Sequence, residues 1–238
     1  MEESKTSSNA TSSFTAVIPA AGIGSRMQSD VPKQYLKILD STIIEHTIER
    51  LIQHPRIDQI VVALHPDDAV FNTLPIAKND WLTCVVGGNN RCDSVLNGLQ
   101  ICQSEWVLVH DAARPCVRLA DIEKLLALAN TGTGGILARK ATDTMKRALP
   151  QRETVDKTED RNSLWHALTP QFFPTVQLRD ALNACAQGGL TVTDEASAIE
   201  QTGGTVTLVE GAIDNIKVTL PLDLALAEFY LTQQSKEQ

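Results

Sequence analysis

Short apolar runs rich in valine and isoleucine alternate with amphipathic helical patterns along most of this chain, and no other feature restricts its fold as much. Phe14–Pro19, Ile60–Leu64, Leu82–Val86, Trp106–Val109 and Gly135–Ala138 read as buried strands, because each is short and bounded by turn residues. Between them, Ile44, Ile48, Leu51 and Ile52 fall on one helical face, and Ile122, Leu125, Leu126 and Ala129 repeat the i, i+3, i+4, i+7 rule. The order β-α-β-α predicts an α/β fold of three layers, Rossmann-like, with a mainly parallel central sheet and helices on both faces. In such a sheet, ligands gather at the carboxyl ends of the strands.

The 238 residues suit one large domain, or one domain with an insertion. Residues 140–162 break the rhythm. They are crowded with charge, their apolar side chains are sparse (Met145, Leu149, Val155), and they are too long for an ordinary connection. They predict a protruding arm. The alternation resumes with a helix over Thr175–Ala186, a helix starting near Thr193, a strand over Thr205–Val209, a short strand bearing Lys217, and a final helix opened by Pro221. Residues 1–13, rich in Ser, Thr and Asn, predict a disordered tail. Residues 14–232 then form a single domain that includes the arm, and 233–238 form a second tail.

A net charge of -8 argues against nucleic acid or an anionic membrane as the main partner. No apolar run reaches membrane-spanning length, and residues 1–13 lack the basic start and apolar stretch of a signal peptide. The five cysteines are odd in number and form no Cys-x-x-Cys pair, which disfavours a disulfide framework or a zinc site. A cytoplasmic location fits this usage.

The first strand runs into Ala20-Ala21-Gly22-Ile23-Gly24-Ser25-Arg26-Met27, with Pro32-Lys33-Gln34 beyond. Small residues there let backbone amides approach phosphate oxygens. A dinucleotide fingerprint needs glycine where Met27 stands, which disfavours a dehydrogenase, and the Gly-Lys-Ser/Thr ending of a Walker loop is missing. Arg26 and Lys33 instead suit a triphosphate whose α-phosphorus must become electrophilic. Gly87-Gly88-Asn89-Asn90-Arg91 ends a strand and opens a helix containing Ser94, where backbone groups and a hydroxyl can read a base edge. His110-Asp111 closes an apolar strand. A carboxylate there can hold a metal against phosphates, and Arg114 can grip a phosphate with two donors. The structural alternative is an Asp111–Arg114 pair across a turn. Thr193 or Asp194 caps a helix. His166 reads as a packed or hydrogen-bonded histidine rather than a catalytic base, and no Ser-His-Asp triad can be assembled.

In sequence order, Pro19–Gly24, Pro32–Gln34, Gly87–Ser94, His110–Pro115, Asp143–Lys146, Asp160–Arg161 with Trp165–Pro170, Thr193–Ser197 and Asp214–Lys217 together resemble the methylerythritol-phosphate cytidylyltransferase family, of the nucleotide-diphospho-sugar-type nucleotidyltransferases. The resemblance spans Phe14 to Leu231. It implies CTP and 2-C-methyl-D-erythritol 4-phosphate as substrates, Mg²⁺ as cofactor and a homodimer joined through the arm. Arg26, Lys33 and Lys217 would face the triphosphate. The nucleotide would rest on Ala20, Ala21, Gly22 and Gly24, with Gly88, Asn89 and Ser94 reading cytosine. Asp111 would sit at the nucleotide and the metal. Arg114 and Thr193 would meet the sugar phosphate, and Thr144 and Arg161 would reach the partner's substrate. Ser25 stands where the family often has a basic residue, and Asn89 where it often has an acid. A ribitol-phosphate cytidylyltransferase shares the first loop, but Ala112-Ala113 looks more like the methylerythritol branch. A nucleotide-binding regulatory module without turnover gives no reason for an arm rich in Lys and Arg.

Overall fold

A computed structural model describes residues 13–22 and 31–237. In chain order its elements are β1 (Phe14–Pro19), β2 (Lys37–Ile38), β3 (Ser41–Thr42), α1 (Ile43–Ile52), β4 (Ile57–Leu64), β5 (Leu82–Val86), α2 (Arg91–Leu99), β6 (Trp106–Val109), α3 (Leu119–Leu126), β7 (Gly135–Lys140), β8 (Lys146–Ala148), β9 (Val155–Thr158), β10 (Trp165–Pro174), α4 (Thr175–Gln187), α5 (Glu195–Gln201), β11 (Thr207–Glu210) and α6 (Pro221–Lys236). Seven strands form the central sheet in the order β11-β7-β10-β6-β1-β4-β5. All neighbours pair in parallel except β10, which runs antiparallel to both β6 and β7.

The three layers follow from which residues each strand buries. Ala16 and Ile18 of β1 point to one face and pack with Ile44, Ile48 and Leu51 of α1 and with Ile122, Leu125 and Leu126 of α3. Val17 points to the other face, against Val95 and Leu99 of α2 and Leu178 and Leu182 of α4. Because both faces are covered, the inner parallel strands β1 and β6 are almost continuously apolar, which makes them readable. The edge strand β5, expected to be buried, buries only Leu82 and leaves Val86 61% exposed, because no strand flanks it on its outer side. Local signals set the helix starts. Thr42 caps α1 in a capping box with Glu45, and Asp194 caps α5 in one with Ser197.

Four further features differ from the sequence expectation. Strand β10 was not foreseen. Two prolines and a register break between Ala167 and Gln171 hide its alternation, although Phe172 and Phe173 are fully buried on opposite sheet faces. Lys217 is not on a strand. Residues 212–219 form an irregular loop whose backbone bond to a neighbouring segment, among the described residues, is Val218 N–H to Ala113 O at 2.8 Å, so no ladder propagates. The helix expected near Thr193 begins at Glu195. Finally, α6 runs to Lys236, through the stretch expected as a tail from 233, with Gln234 buried.

The arm expected at 140–162 contains the β8–β9 hairpin, antiparallel and exposed along both strands. Among the described residues, no helix is long and apolar enough to cross a membrane.

Candidate active site

The strand order reverses at β1: the chain goes from β1 to β4 and β5 on one side and returns to β6 on the other. A crevice therefore opens beyond the carboxyl ends of β1 and β6, where parallel sheets of this kind bind ligands. A cavity of about 340 Å³ fills it, lined by Ala20, Ala21 and Gly22 after β1, Gly88, Asn89 and Ser94 after β5, Asp111 after β6, and Lys33 and Lys217. Gly24 and Arg26 lie outside the described residues.

The turn after β5 is built for close approach. A Cβ on Gly87 would come within 2.5 Å of the Ala21 Cβ, so only glycine lets the two loops meet. Ser94 ties the turn to α2: its Oγ accepts from Gly88 N–H at 3.1 Å and donates to Asn90 O at 3.0 Å. Across the cleft, Gln34 Nε2 donates to Ala20 O at 2.9 Å and fixes the first loop. The Tyr35 hydroxyl donates to the Asp68 carboxylate, which anchors the turn that presents Lys33.

At the back of the cavity, Asp111 gathers three cations. Its Oδ1 accepts from Arg91 Nε at 3.0 Å, while Oδ2 lies 2.8 Å from Lys217 Nζ and 3.4 Å from Arg114 Nε. Burial would raise the pKa of this carboxyl, but Arg91, Lys217 and Arg114 overturn that and hold it well below the usual carboxylate range. The Asp111–Arg114 pair that could have been merely structural does exist, but inside a larger cluster. Arg91 also holds Glu195, fully buried, through two parallel bonds of 2.6 and 3.1 Å.

His110 is structural. Its Nε2 meets the Arg114 carbonyl at 3.0 Å, and a carbonyl can only accept, so Nε2 carries the proton. Nδ1 then accepts from the Thr169 hydroxyl at 2.9 Å, and that hydroxyl accepts from Asp111 N–H at 3.0 Å. Complete burial lowers the imidazole to about 4, which keeps it neutral.

A second cavity, of about 290 Å³, shares Arg91, Asp111 and Lys217 with the first and adds Arg114, Thr169, Thr193 and Asp194. The proposed substrate residues Arg114 and Thr193 thus stand next to the proposed nucleotide residues. Thr144 and Arg161 are not among the lining residues of either cavity. Both are exposed on the arm, where Arg161 donates to the Thr142 carbonyl. His166, expected to be packed, is exposed as well, near the start of β10 before that strand enters the core. Sequence reasoning left Gln34, Arg91 and Glu195 out of the site. One signal pointed to Arg91: a cation in the first turn of a helix opposes the macrodipole and needs carboxylates to hold it.

A nucleotide-sized cavity at the reversal point of a mainly parallel sheet, with cations converging where two cavities join, defines a nucleotide-binding α/β enzyme that works on phosphates. The family model for 2-C-methyl-D-erythritol 4-phosphate cytidylyltransferase (IspD) matches residues 14–233. The enzyme of that name from Serratia proteamaculans is 57% identical over 220 residues, covering 92% of this chain and 94% of the relative. Its counterpart from Escherichia coli O139:H28 is 56% identical over 220 residues, covering 92% and 93%. The crystal structure of the Francisella tularensis enzyme superposes with a TM-score of 0.78 at 37% identity, covering 92% of this chain and all of that one. The chain belongs to the 2-C-methyl-D-erythritol 4-phosphate cytidylyltransferase family.

Proposed function

We propose that this chain transfers the cytidylyl group of CTP to 2-C-methyl-D-erythritol 4-phosphate, releasing pyrophosphate and forming the cytidine diphosphate adduct. The observation that carries the reading is the junction of the two cavities. Arg91, Asp111 and Lys217 line both, so a nucleotide in one and a phosphorylated polyol in the other would bring their phosphates together at that point.

The acceptor phosphate oxygen attacks the α-phosphorus in line, and pyrophosphate leaves. Since the nucleophile is already an anion, no general base is required, and catalysis reduces to positioning and charge neutralisation. Lys33 and Lys217 offset the triphosphate charge, joined by Arg26. The Ala20–Gly24 backbone cradles phosphate, while Gly88, Asn89 and Ser94 read the base. Arg114 and Thr193 hold the acceptor.

Among the described residues, Mg²⁺ would have one protein carboxylate to meet in the cleft, that of Asp111, whose oxygens also face Arg91, Arg114 and Lys217. No group of three or more His, Cys, Asp or Glu able to hold a metal occurs among the described residues. Asp111 offers a hard oxygen ligand that stays ionised, and Mg²⁺ commonly takes one or two carboxylates with phosphates completing the rest. When bound, the ion supplies further neutralisation of the phosphate oxygens.

The arm joins two copies of the chain into a homodimer. Its exposed hairpin, including Val155, cannot bury itself, and a twofold arrangement would bring Thr144 and Arg161 to the partner's acceptor site. The enzyme acts in the cytoplasm.

Pyrophosphate release from CTP, measured in parallel with 2-C-methyl-D-erythritol 4-phosphate and ribitol 5-phosphate, tests the assignment. Turnover with the first and little with the second is expected. Equal or greater use of ribitol 5-phosphate would move the chain to the other acceptor, and binding of CTP without turnover would make it a regulatory module.

A further inference from the structure

Three of the cleft cations, Lys33, Arg114 and Lys217, meet one irregular stretch of backbone. Lys217 lies on the 212–219 loop, the Lys33 ammonium donates to Val218 O at 3.1 Å, and Arg114 Nη1 donates to Asn215 O at 2.8 Å. Neither helix nor strand holds this loop, so apart from the Val218 N–H bond to Ala113 O its hold comes from side chains.

Asp214 is one of its anchors, beside Asn215, whose Nδ2 donates to Thr169 O at 2.8 Å, and Asp121, which accepts from Ala212 N–H at 2.7 Å. Asp214 is 3% exposed, and its Oδ1 has no hydrogen-bond partner among the described residues. Its hold therefore rests on Oδ2, which accepts from Arg118 Nε at 2.8 Å and from Gln234 Nε2 at 2.9 Å. The same Gln234 amide donates to Cys116 O at 2.9 Å, and its Oε1 accepts from Arg50 at 3.1 Å. Arg118 in turn reaches Glu237 at 2.7 Å.

Gln234 occupies an unexpected place for an amide. It follows Ala227 and Leu231 at helical spacing, on the stripe by which α6 packs into an apolar cluster with Ile38, Cys116 and Val218. A leucine there would extend the cluster. A buried amide is costly unless its hydrogen bonds are made, and here one of them is made to the loop that bears Lys217.

We propose that Gln234, backed by the Arg118–Glu237 pair, is a positioning residue for the transfer reaction: through Asp214 it holds the 212–219 loop so that Lys217 faces the phosphates. This rests on the reading of Lys217 as a charge partner of the triphosphate.

A double-mutant cycle tests it, with wild type, Gln234→Leu, Lys217→Ala and the double variant assayed well below the melting temperature of all four. Gln234→Leu is expected to lower kcat about tenfold while the KM for the acceptor moves less than about twofold. In the Lys217→Ala background the same change should cost less than about twofold, since its effect runs through the missing ammonium. Lys236→Ala, exposed in the same helical turn, should keep wild-type kcat. A wild-type kcat for Gln234→Leu overturns the proposal, and so does a tenfold loss repeated on Lys217→Ala, which would mark a general packing defect. Lys217→Ala at wild-type turnover would instead remove the reading of Lys217 itself. Should Gln234→Leu melt too low to assay, Glu237→Gln weakens the same anchor from its solvent side. A kcat loss of about twofold that disappears on Lys217→Ala supports the role; no loss overturns it.

Discussion

The Asp111 carboxylate and the Lys217 ammonium lie 2.8 Å apart, one buried at the end of β6 and the other on the 212–219 loop with 38% of its side chain exposed. The pair aims the ammonium at the cleft before any triphosphate arrives. Asp111 also keeps Arg91 and Arg114, so Lys217 can turn toward a phosphate without leaving the carboxylate uncompensated. A charge partner held in place beforehand needs little reorganisation during the reaction.

Lys33 should be tested first among the cleft cations. Pro32 precedes it, and the Tyr35–Asp68 bond fixes the turn that carries it. Lys33→Ala is expected to lower turnover roughly a hundredfold or more, as for loss of a transition-state charge partner, with the melting temperature little changed. Near-normal turnover would take Lys33 out of the mechanism.

Base selection should be strict. Gly88, Asn89 and Ser94 belong to a turn locked by the Ser94 Oγ bonds, and fixed polar groups reject the wrong donor–acceptor pattern because they would be left unpaired. Competition assays should show strong preference for CTP over UTP and ATP. Comparable use of UTP would contradict the assigned base contacts.

The arm leads to a complementation experiment. Lys33→Ala and Arg161→Ala homodimers should each be nearly inactive. Mixing and re-equilibrating their subunits should restore part of the activity, because one site in the mixed dimer would then lack both defects. A mixture that stays inactive would assign Arg161 to its own subunit, and a monomer in sedimentation at working concentration would remove the dimer altogether.

His110 should make stability fall in mild acid. Its folded value of about 4 lies below the ordinary 6.5, so the unfolded chain takes up the proton first. Stability is therefore fully present above about 6.5, declines as pH drops toward 4, and declines no further from this group below that. The contribution is on the order of 3 kcal/mol. His110→Gln, which cannot titrate, should flatten the melting temperature between pH 7 and pH 5. An unchanged slope would mean that another group governs it.

Much of this protein was determined locally. Runs such as Ala16–Ile18 and Val107–Val109 announce themselves because a strand covered on both faces must be apolar throughout, and Thr42 and Asp194 mark helix starts because a cap is a short-range bond. The cleft residues Ser94 and Asp111 were legible for a related reason, since each follows a strand whose end can be read, while Lys33 was legible from the Pro32-Lys33-Gln34 motif. Tertiary structure alone decided the rest. It set β10 antiparallel between β6 and β7, where pairing with two distant strands outweighs the interruption by Pro170. It also joined Arg91 to Glu195, and Gln234 to Asp214, across long stretches of chain. No periodicity encodes such pairs. Their partners meet only when packing removes water and leaves each buried polar group to find its counterpart.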